Sequence, residues 1–299
     1  MSVEGHDVSG RVVVGHDGSD NAMTAVRWAA DYGARLGLGI TIVRAVPEVP
    51  LPTRTGVYRA LRHGLDFGER IERIARDHLA EAAAAAAEAA PGADVDTALI
   101  AGDSAGVLAD LTHRAAAVAL GRSGATGMRG AREALVGGTA IATVHHAHGP
   151  VIVVPPGCAS VADGPVVVGL DDAENAGGLA ATARDAADGL DRPLVAVHVV
   201  DIDAALGVDW VGFGLAEQQR MEDDYARRLP DVTGVAARGG TEHRVLAGRA
   251  EQVLGELSRT AALVVVGSRG RGGFAGLLLG SVSRAVLSHA ECPTLVVRA

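Results

Sequence analysis

The sequence predicts an α/β protein: two tandem doubly wound domains, each a five-stranded parallel sheet flanked by helices, related by a pseudo-twofold axis. Three observations lead there. The length of 299 residues suits two domains, since one usually takes roughly 100–200 residues. The chain repeats itself at long range: Val12-Val13-Val14-Gly15-His16-Asp17 returns as Val166-Val167-Val168-Gly169-Leu170-Asp171. Within each repeat, short apolar runs alternate with helical patterns, as right-handed strand–helix–strand crossovers require.

The repeat unit is a whole domain, because solenoid periods run to only about 20–50 residues. The offset between copies shrinks along the chain, from 154 (12 to 166) to 146 (99 to 245, and 121 to 267) and then 143 (150 to 293). The first copy therefore carries 8 extra residues between its second and third strands and 3 extra between Gly124 and Gly137. Loops and peripheral helices tolerate such insertions. The domains are residues 1–156 and 164–299, joined by a Pro/Gly/Ser-rich linker from Pro155 to Gly164.

In the first copy, Arg11 to Gly15 is the first strand; three valines in a row suit a strand buried on both faces of a parallel sheet. Asp20 is expected to cap the helix that follows, in which Ala22, Val26, Ala29, Ala30 and Gly33 recur at helical spacing. Ile40 to Val46 is the second strand. A long helix covers Leu65 to Ala90, and its run of alanines from Ala82 to Ala87 makes it sturdy, since alanine is the best helix former. Asp96 to Ala101 is the third strand, Gly106 to Ala115 a helix, and Ala117 to Gly121 the fourth strand. A helix over Gly138 to Ala147 and a strand from Val151 to Val154 close the copy. In the second copy the longest apolar run, Ala261 to Val266, suits a buried strand, and a helix opens at Gly280 and Ser281. The last strands, Val151–Val154 and Thr294–Val297, fall at sheet edges, and exposed edges invite pairing. They are expected to pair with each other across the pseudo-twofold axis, and the same terminal strands are expected to serve a homodimer.

Composition narrows the function. A net charge of -9 argues against a nucleic-acid partner, which needs a basic surface to neutralise phosphates. No apolar run approaches the roughly 18–20 residues that span a bilayer, and the N-terminus, MSVEGHDVSG, has no apolar core for a signal peptide. With two cysteines, Cys158 and Cys292, unpaired thiols in a cytoplasmic setting are the simplest expectation. The chain contains no lysine, which excludes a lysine-bearing phosphate loop. His145, His146 and His148 read as a helix C-terminus rather than as metal ligands, and Trp28 and Trp210 as packing anchors.

In open α/β sheets the ligand sits beyond the carboxyl ends of the strands, where strand order reverses. After the fourth strand of the second copy come Gly267-Ser268-Arg269-Gly270, nine further residues, and Gly280-Ser281. Glycines let backbone N–H groups approach an anion, and a helix N-terminus offers free donors and a positive dipole end. Arg269 and Arg271 complement phosphate, and the hydroxyls of Ser281 and Ser283 add donors beside Val282, which belongs to the helix's apolar stripe. After the first strand, Asp17-Gly18-Ser19 offers a carboxylate for an exocyclic amine or a ribose hydroxyl; a turn with helix capping is the equally weighted alternative.

Val14 to Ser19, the glycine pattern from Gly267 to Ser281, the His289 to Pro293 segment and the tandem arrangement together resemble the universal stress protein family, over nearly the whole chain. The resemblance implies the adenine nucleotide alpha hydrolase-like fold and an adenine nucleotide in each domain. It puts the early Asp near the base, the end of the second strand in the adenine pocket, and the glycine loop around the phosphates. Carried over, this gives Asp17, Val46, Gly121, Gly124, Gly137 and Thr139 in the first copy, with Gly15, Gly18, Ser19 and Gly138 beside them. In the second copy it gives Asp171, Val200, Gly267, Gly270, Gly280 and Ser281, with Arg269, Arg271, Val282 and Ser283. The copies depart from the pattern differently. The first has 12 residues between Gly124 and Gly137 and places Gly138 where the second has Ser281. The second has Asp171-Asp172-Ala173 in place of Asp-Gly-Ser. The expectation is ATP, with Mg²⁺ accompanying the triphosphate, held first in the second copy. The implied function is a cytoplasmic, nucleotide-dependent regulator of stress response or growth. A slow ATPase and an interaction module with degenerate sites are the alternatives. No residue stands out as catalytic.

Overall fold

The computed structural model describes residues 7–46, 57–122, 136–171, 176–200, 241–269 and 279–298, with 220, 223, 224 and 227 besides; residues 57–69 are described by their backbone alone. The first half runs β1 (Val12–Gly15), α1 (Asp20–Leu36), β2 (Ile40–Val46), α2 (Val57–Ala89), β3 (Val95–Ala101), α3 (Ser104–Leu111), β4 (Ala117–Gly121), α4 (Gly138–His146) and β5 (Val151–Val154). The second runs β6 (Val166–Leu170), α5 (Ala176–Leu190), β7 (Leu194–Val200), β8 (Thr241–Ala247), α6 (Ala250–Leu257), β9 (Leu263–Gly267), α7 (Ser281–His289) and β10 (Thr294–Val297).

All ten strands form one sheet, in the order β3-β2-β1-β4-β5-β10-β9-β6-β7-β8. Each half is a parallel five-stranded unit with the same internal order. They join where β5 and β10 pair antiparallel, with Leu295 opposite Ile152. The expected pairing of the last strands is therefore present, and it fuses two sheets into one. The same fact corrects the expected homodimer route. β5 is bonded to β4 as well as β10, and β10 to β9 as well as β5, so neither offers an edge to a second chain. Among the described strands, the open edges are β3 and β8.

Side chains alternate across the sheet. Val12, Val14, Ile40, Ile42, Ile152 and Val154 point to the face covered by α1, α2 and α5, where a single core runs through both halves. Val13, Val43, Val151 and Val153 point to the other face, under α3, α4, α6 and α7. Each such side chain, taken fully out of water, contributes roughly 1.5–3 kcal/mol. Both faces being covered explains why the strands read as continuous apolar runs. With few aromatics, alanine fills much of the space between helix and sheet; α1 buries Ala22, Ala25, Ala29 and Ala30. Trp28 is fully buried and stacks on Tyr32 with ring centroids 4.8 Å apart, a packing role as expected. Trp210 lies outside the described residues.

The cap of α1 is Ser19, not Asp20. The Ser19 hydroxyl accepts from the Ala22 N–H at 3.2 Å, while Asp20 already lies in the first turn. Its carboxylate there still meets the positive end of the helix dipole. At the other end Gly37 takes φ 69°, a left-handed conformation that lets the chain leave the helix.

Candidate functional site

The ends of β1, β2 and β4 and the start of α4 meet around a cavity of about 250 Å³ in the first half. The strand order reverses between β1 and β4, because the chain winds outward from β1 through β2 on one side and resumes with β4 on the other. Gly15, Asp17 and Ser19 line the cavity from the β1 end, Gly121 from the β4 end, and Gly137, Gly138 and Thr139 from the α4 end. Seven of the first-copy residues singled out in the sequence thus surround one space. Val46 does not; β2 contributes Val43, Arg44 and Ala45. Gly18 sits behind the wall at φ 86°, where a Cβ would meet the His78 ring at 2.5 Å. Gly124 lies outside the described residues.

The two ends of this cavity differ in chemistry. At one end α4 begins with Gly137 as its N-cap and no side chain bonded to it. The N–H groups of Gly138, Thr139 and Ala140 precede the first intrahelical bond, from the Ile141 N–H to the Gly137 carbonyl. Donors and dipole both face the cavity, an arrangement suited to an anion. Gly121 is glycine for packing: a Cβ there would stand 2.4 Å from the Asn21 carbonyl oxygen.

At the other end, Asp17 closes a tight turn, its Oδ1 accepting from the Ser19 N–H at 2.9 Å. Burial acts against its ionisation, but hydrogen bonding from Ser19 outweighs it and holds the carboxyl below the usual range. Beside it His16 is buried, 4% exposed, and burial pushes its imidazole pKa down. The His16 and His78 rings stand edge to face, 6.4 Å apart. Neither His16 nor Arg44 was singled out in the sequence. Their signal was available in the repeat: the second half carries Leu170 and His198 at the same strand positions.

In the second half, Gly267 ends β9 and Gly280 caps α7, again without a side-chain cap. Ser281 opens the helix exposed, Val282 packs against the core, Arg269 is exposed, and Asp171 and Val200 stand at the ends of β6 and β7. Ser283 is a correction. Its hydroxyl is buried and donates to the Gly267 carbonyl at 2.5 Å, so it ties α7 to β9 and is not free for a phosphate. The Gly280 N–H is likewise taken by the Ser268 carbonyl at 2.8 Å. Gly270 and Arg271, with Asp172 and Ala173, lie outside the described residues.

His145 and His146 occupy the last turn of α4, and His148 stacks on His113 with centroids 3.9 Å apart. Among the described residues no three His, Cys, Asp or Glu side chains converge as a metal site. Both cysteines are free thiols. No helix among the described residues is long and apolar enough to cross a membrane.

Fold and site together define a tandem, doubly wound α/β protein with a ligand-sized cleft at the switch point of its first half. The family model described as "Universal stress protein family" matches twice, over residues 9–155 and 164–298. The chain belongs to that family. It is 34% identical over 309 residues to Universal stress protein Rv1996 of Mycobacterium tuberculosis (strain ATCC 25618 / H37Rv), covering 96% of this chain and 94% of the relative. A universal stress protein from Archaeoglobus fulgidus DSM 4304 shares the fold at a TM-score of 0.66 and 18% identity, over 97% of this chain and 98% of that one. A further universal stress protein, solved in complex with cAMP, covers 46% of this chain, which spans 98% of it, at 25% identity and a TM-score of 0.34.

Proposed function

We propose that the first-half cleft binds ATP and that the protein is a nucleotide-dependent regulator of stress response or growth rather than an enzyme. The observation that carries this reading is the cavity itself, which has an open helix N-terminus at one end and the Asp17 turn at the other. In this reading the first-turn N–H groups of α4 and the Thr139 hydroxyl take the phosphates. The ends of β1 and β2 hold the nucleoside. Bound ATP orders the surrounding loops and changes the surface a partner protein meets; it shifts that equilibrium only by its differential affinity for the two states. The reading assigns no general base, because the nearest carboxylate, Asp17, is tied into its own turn. Mg²⁺ would arrive with the triphosphate, held by phosphate oxygens. The second half is a second candidate site through Gly267, Gly280 and Ser281.

The test is mass spectrometry of ligand released by heat from the purified protein, followed by calorimetry with ATP. Gly138→Glu places a carboxylate at the start of α4, where a new Cβ meets nothing within 4 Å, so packing is spared. It should abolish ATP binding in the first half. Gly280→Glu is the matching variant for the second half and counts the sites. Absence of any adenine nucleotide and of any binding heat would end the reading. Phosphate release above background with Mg²⁺ would replace the regulator with an ATPase.

A further inference from the structure

We infer that the first-half cleft has a second oxyanion subsite, built by Arg44 with His16 and His78, at the end opposite the α4 N-terminus. Its ligand is a nucleotide carrying a second phosphoryl group on the ribose. The inference rests on the proposed nucleotide reading for the first end of the ligand and on separate observations for the second.

Four nitrogens there are out of solvent without a hydrogen-bond partner among the described residues: Nδ1 of His16, Nε and Nη1 of Arg44, and Nδ1 of His78. Buried polar groups are almost always paired, and an unpaired one costs stability, more so on a charged group. Such a concentration in one wall of a cavity calls for an acceptor. His16 is 4% exposed, and both it and Arg44 line the cavity. A Cβ on Gly18 would stand 2.6 Å from His78 Cε1 and 3.4 Å from Arg44 Nη1, so α2 and β2 bring these groups to the same turn. Burial, with Arg44 and His78 beside it, disfavours protonation of His16. The carboxylates in reach of His16 are Asp17 and Glu81. Both are exposed, and Asp17 Oδ1 already accepts from the Ser19 N–H. Water screens them, while the donor nitrogens stay dry. A guanidinium with unused donors is matched by phosphate oxygens, and imidazole N–H groups beside it can donate to the same anion.

The second half lacks this wall. Leu170 replaces His16, and His198 stands at the register of Arg44, its Nδ1 bonded to the Leu170 carbonyl at 3.1 Å. Among the described residues the subsite is therefore a property of the first half.

The experiment compares AMP with adenosine 3′,5′-bisphosphate and adenosine 2′,5′-bisphosphate by calorimetry, on the full chain and on Arg44→Met. One of the bisphosphates should bind the full chain at least about tenfold tighter than AMP, the gain from one charge-assisted contact. Arg44→Met should erase that ratio. Arg44→His, which copies the second half, serves as a second variant if the first unfolds. Equal binding of AMP and both bisphosphates, or a preference that survives both variants, overturns the subsite. A third arm titrates inorganic pyrophosphate against the imidazole NMR signals of His16 and His78. If no nucleotide binds but pyrophosphate shifts those signals in the wild type and not in Arg44→Met, the subsite stands and the adenine reading falls. If pyrophosphate shifts nothing and no nucleotide binds, both fall.

Discussion

Gly138 opens α4 into the cavity with nothing within 4 Å of the position a Cβ would take. The second half has Ser281 at the corresponding place, exposed at the start of α7. Gly138→Ser should therefore add a hydroxyl donor to the phosphate end without a clash. One net hydrogen bond is worth about 0.5–1.5 kcal/mol, so ATP should bind roughly 2- to 10-fold tighter by calorimetry; weaker binding would place the phosphates elsewhere. His16 gives a second residue-scale prediction. Its folded pKa lies below its ordinary value of 6.5 because it is buried, with Arg44 and His78 adding to the effect and Asp17 and Glu81 opposing it. As pH falls below about 6.5 the unfolded chain takes up a proton that the folded chain still refuses, so stability is lost there and fully present above. One such proton gives at most about 1.4 kcal/mol per pH unit. Burial shifts His145 the same way, so His16→Leu, the residue of the second half, should flatten the urea-midpoint slope between pH 7.5 and 5.5 only in part. An unchanged slope would mean His16 is not held neutral. At this scale the sequence revealed residue types and spacing but not which way side chains turn. A turn with helix capping by Asp17 and Ser19 is one of its two readings and is what forms, while the cap it also offers to Asp20 falls to Ser19. It offered Ser283 to a phosphate, although the hydroxyl turns inward to Gly267. Arg44 gains its place only when β2, the Gly18 turn and α2 are brought together.

Strands and most helices were legible because their signal is local. Ile40–Val46, Ala117–Gly121 and Val151–Val154 fall where apolar runs placed them, while α2 begins at Val57, ahead of the expected Leu65. What joins the elements is not local. Arg122 follows β4, crosses into the other half, and donates from Nη1 to the carbonyls of Ala290 at 2.7 Å and Leu287 at 3.3 Å, at the C-terminal end of α7. A cation there completes the helix's unpaired carbonyls and meets the negative end of its dipole. Burial lowers the Arg122 pKa, offset in part by Cys158, Cys292 and Glu291 around it, and the group remains charged because arginine does so throughout the accessible pH range. Arg298 does the reverse, donating to the Ala147 carbonyl at the end of α4. Each of α4 and α7 is thus gripped at its C-terminal end by an arginine from the other half. Arg122 is 9% exposed, whereas Arg298 is an exposed residue. Arg122→Met should therefore cost about 2 kcal/mol in urea unfolding, in the range for hydrogen bonds to charged groups. Arg298→Met should cost less than about 1 kcal/mol, as exposed charges do. The opposite ranking would show that the two grips do not differ by burial.

At the scale of the molecule, the duplication announced two domains and the edge argument announced their joint, but not that both terminal strands would be used up by it. A strand's partners are set by the whole sheet. β5 is four buried apolar residues without charge, Val151–Val154, lying between β4 and β10. Removing residues 164–299 would strip β10 from it and leave a flat apolar edge of unpaired N–H and C=O groups, the kind of edge that recruits another chain. It would also uncover part of α1, since Leu36 packs close to Gly189 of α5. The nearest replacement for β10 is another β5. The natural joint is already antiparallel and pseudo-twofold, and antiparallel pairing of a strand with its own copy about a true twofold is self-complementary. The fragment 1–156 should therefore run as a dimer by light scattering, in a concentration-dependent equilibrium with monomer. The intact chain should show no association that depends on this edge. Adding the fragment 164–299 should replace the homodimer with a one-to-one complex, because β10 restores the Ile152–Leu295 register and the packing of α5 on α1. A fragment that stays monomeric at every concentration, or a homodimer that ignores the added second half, would mean that β5 does not determine association.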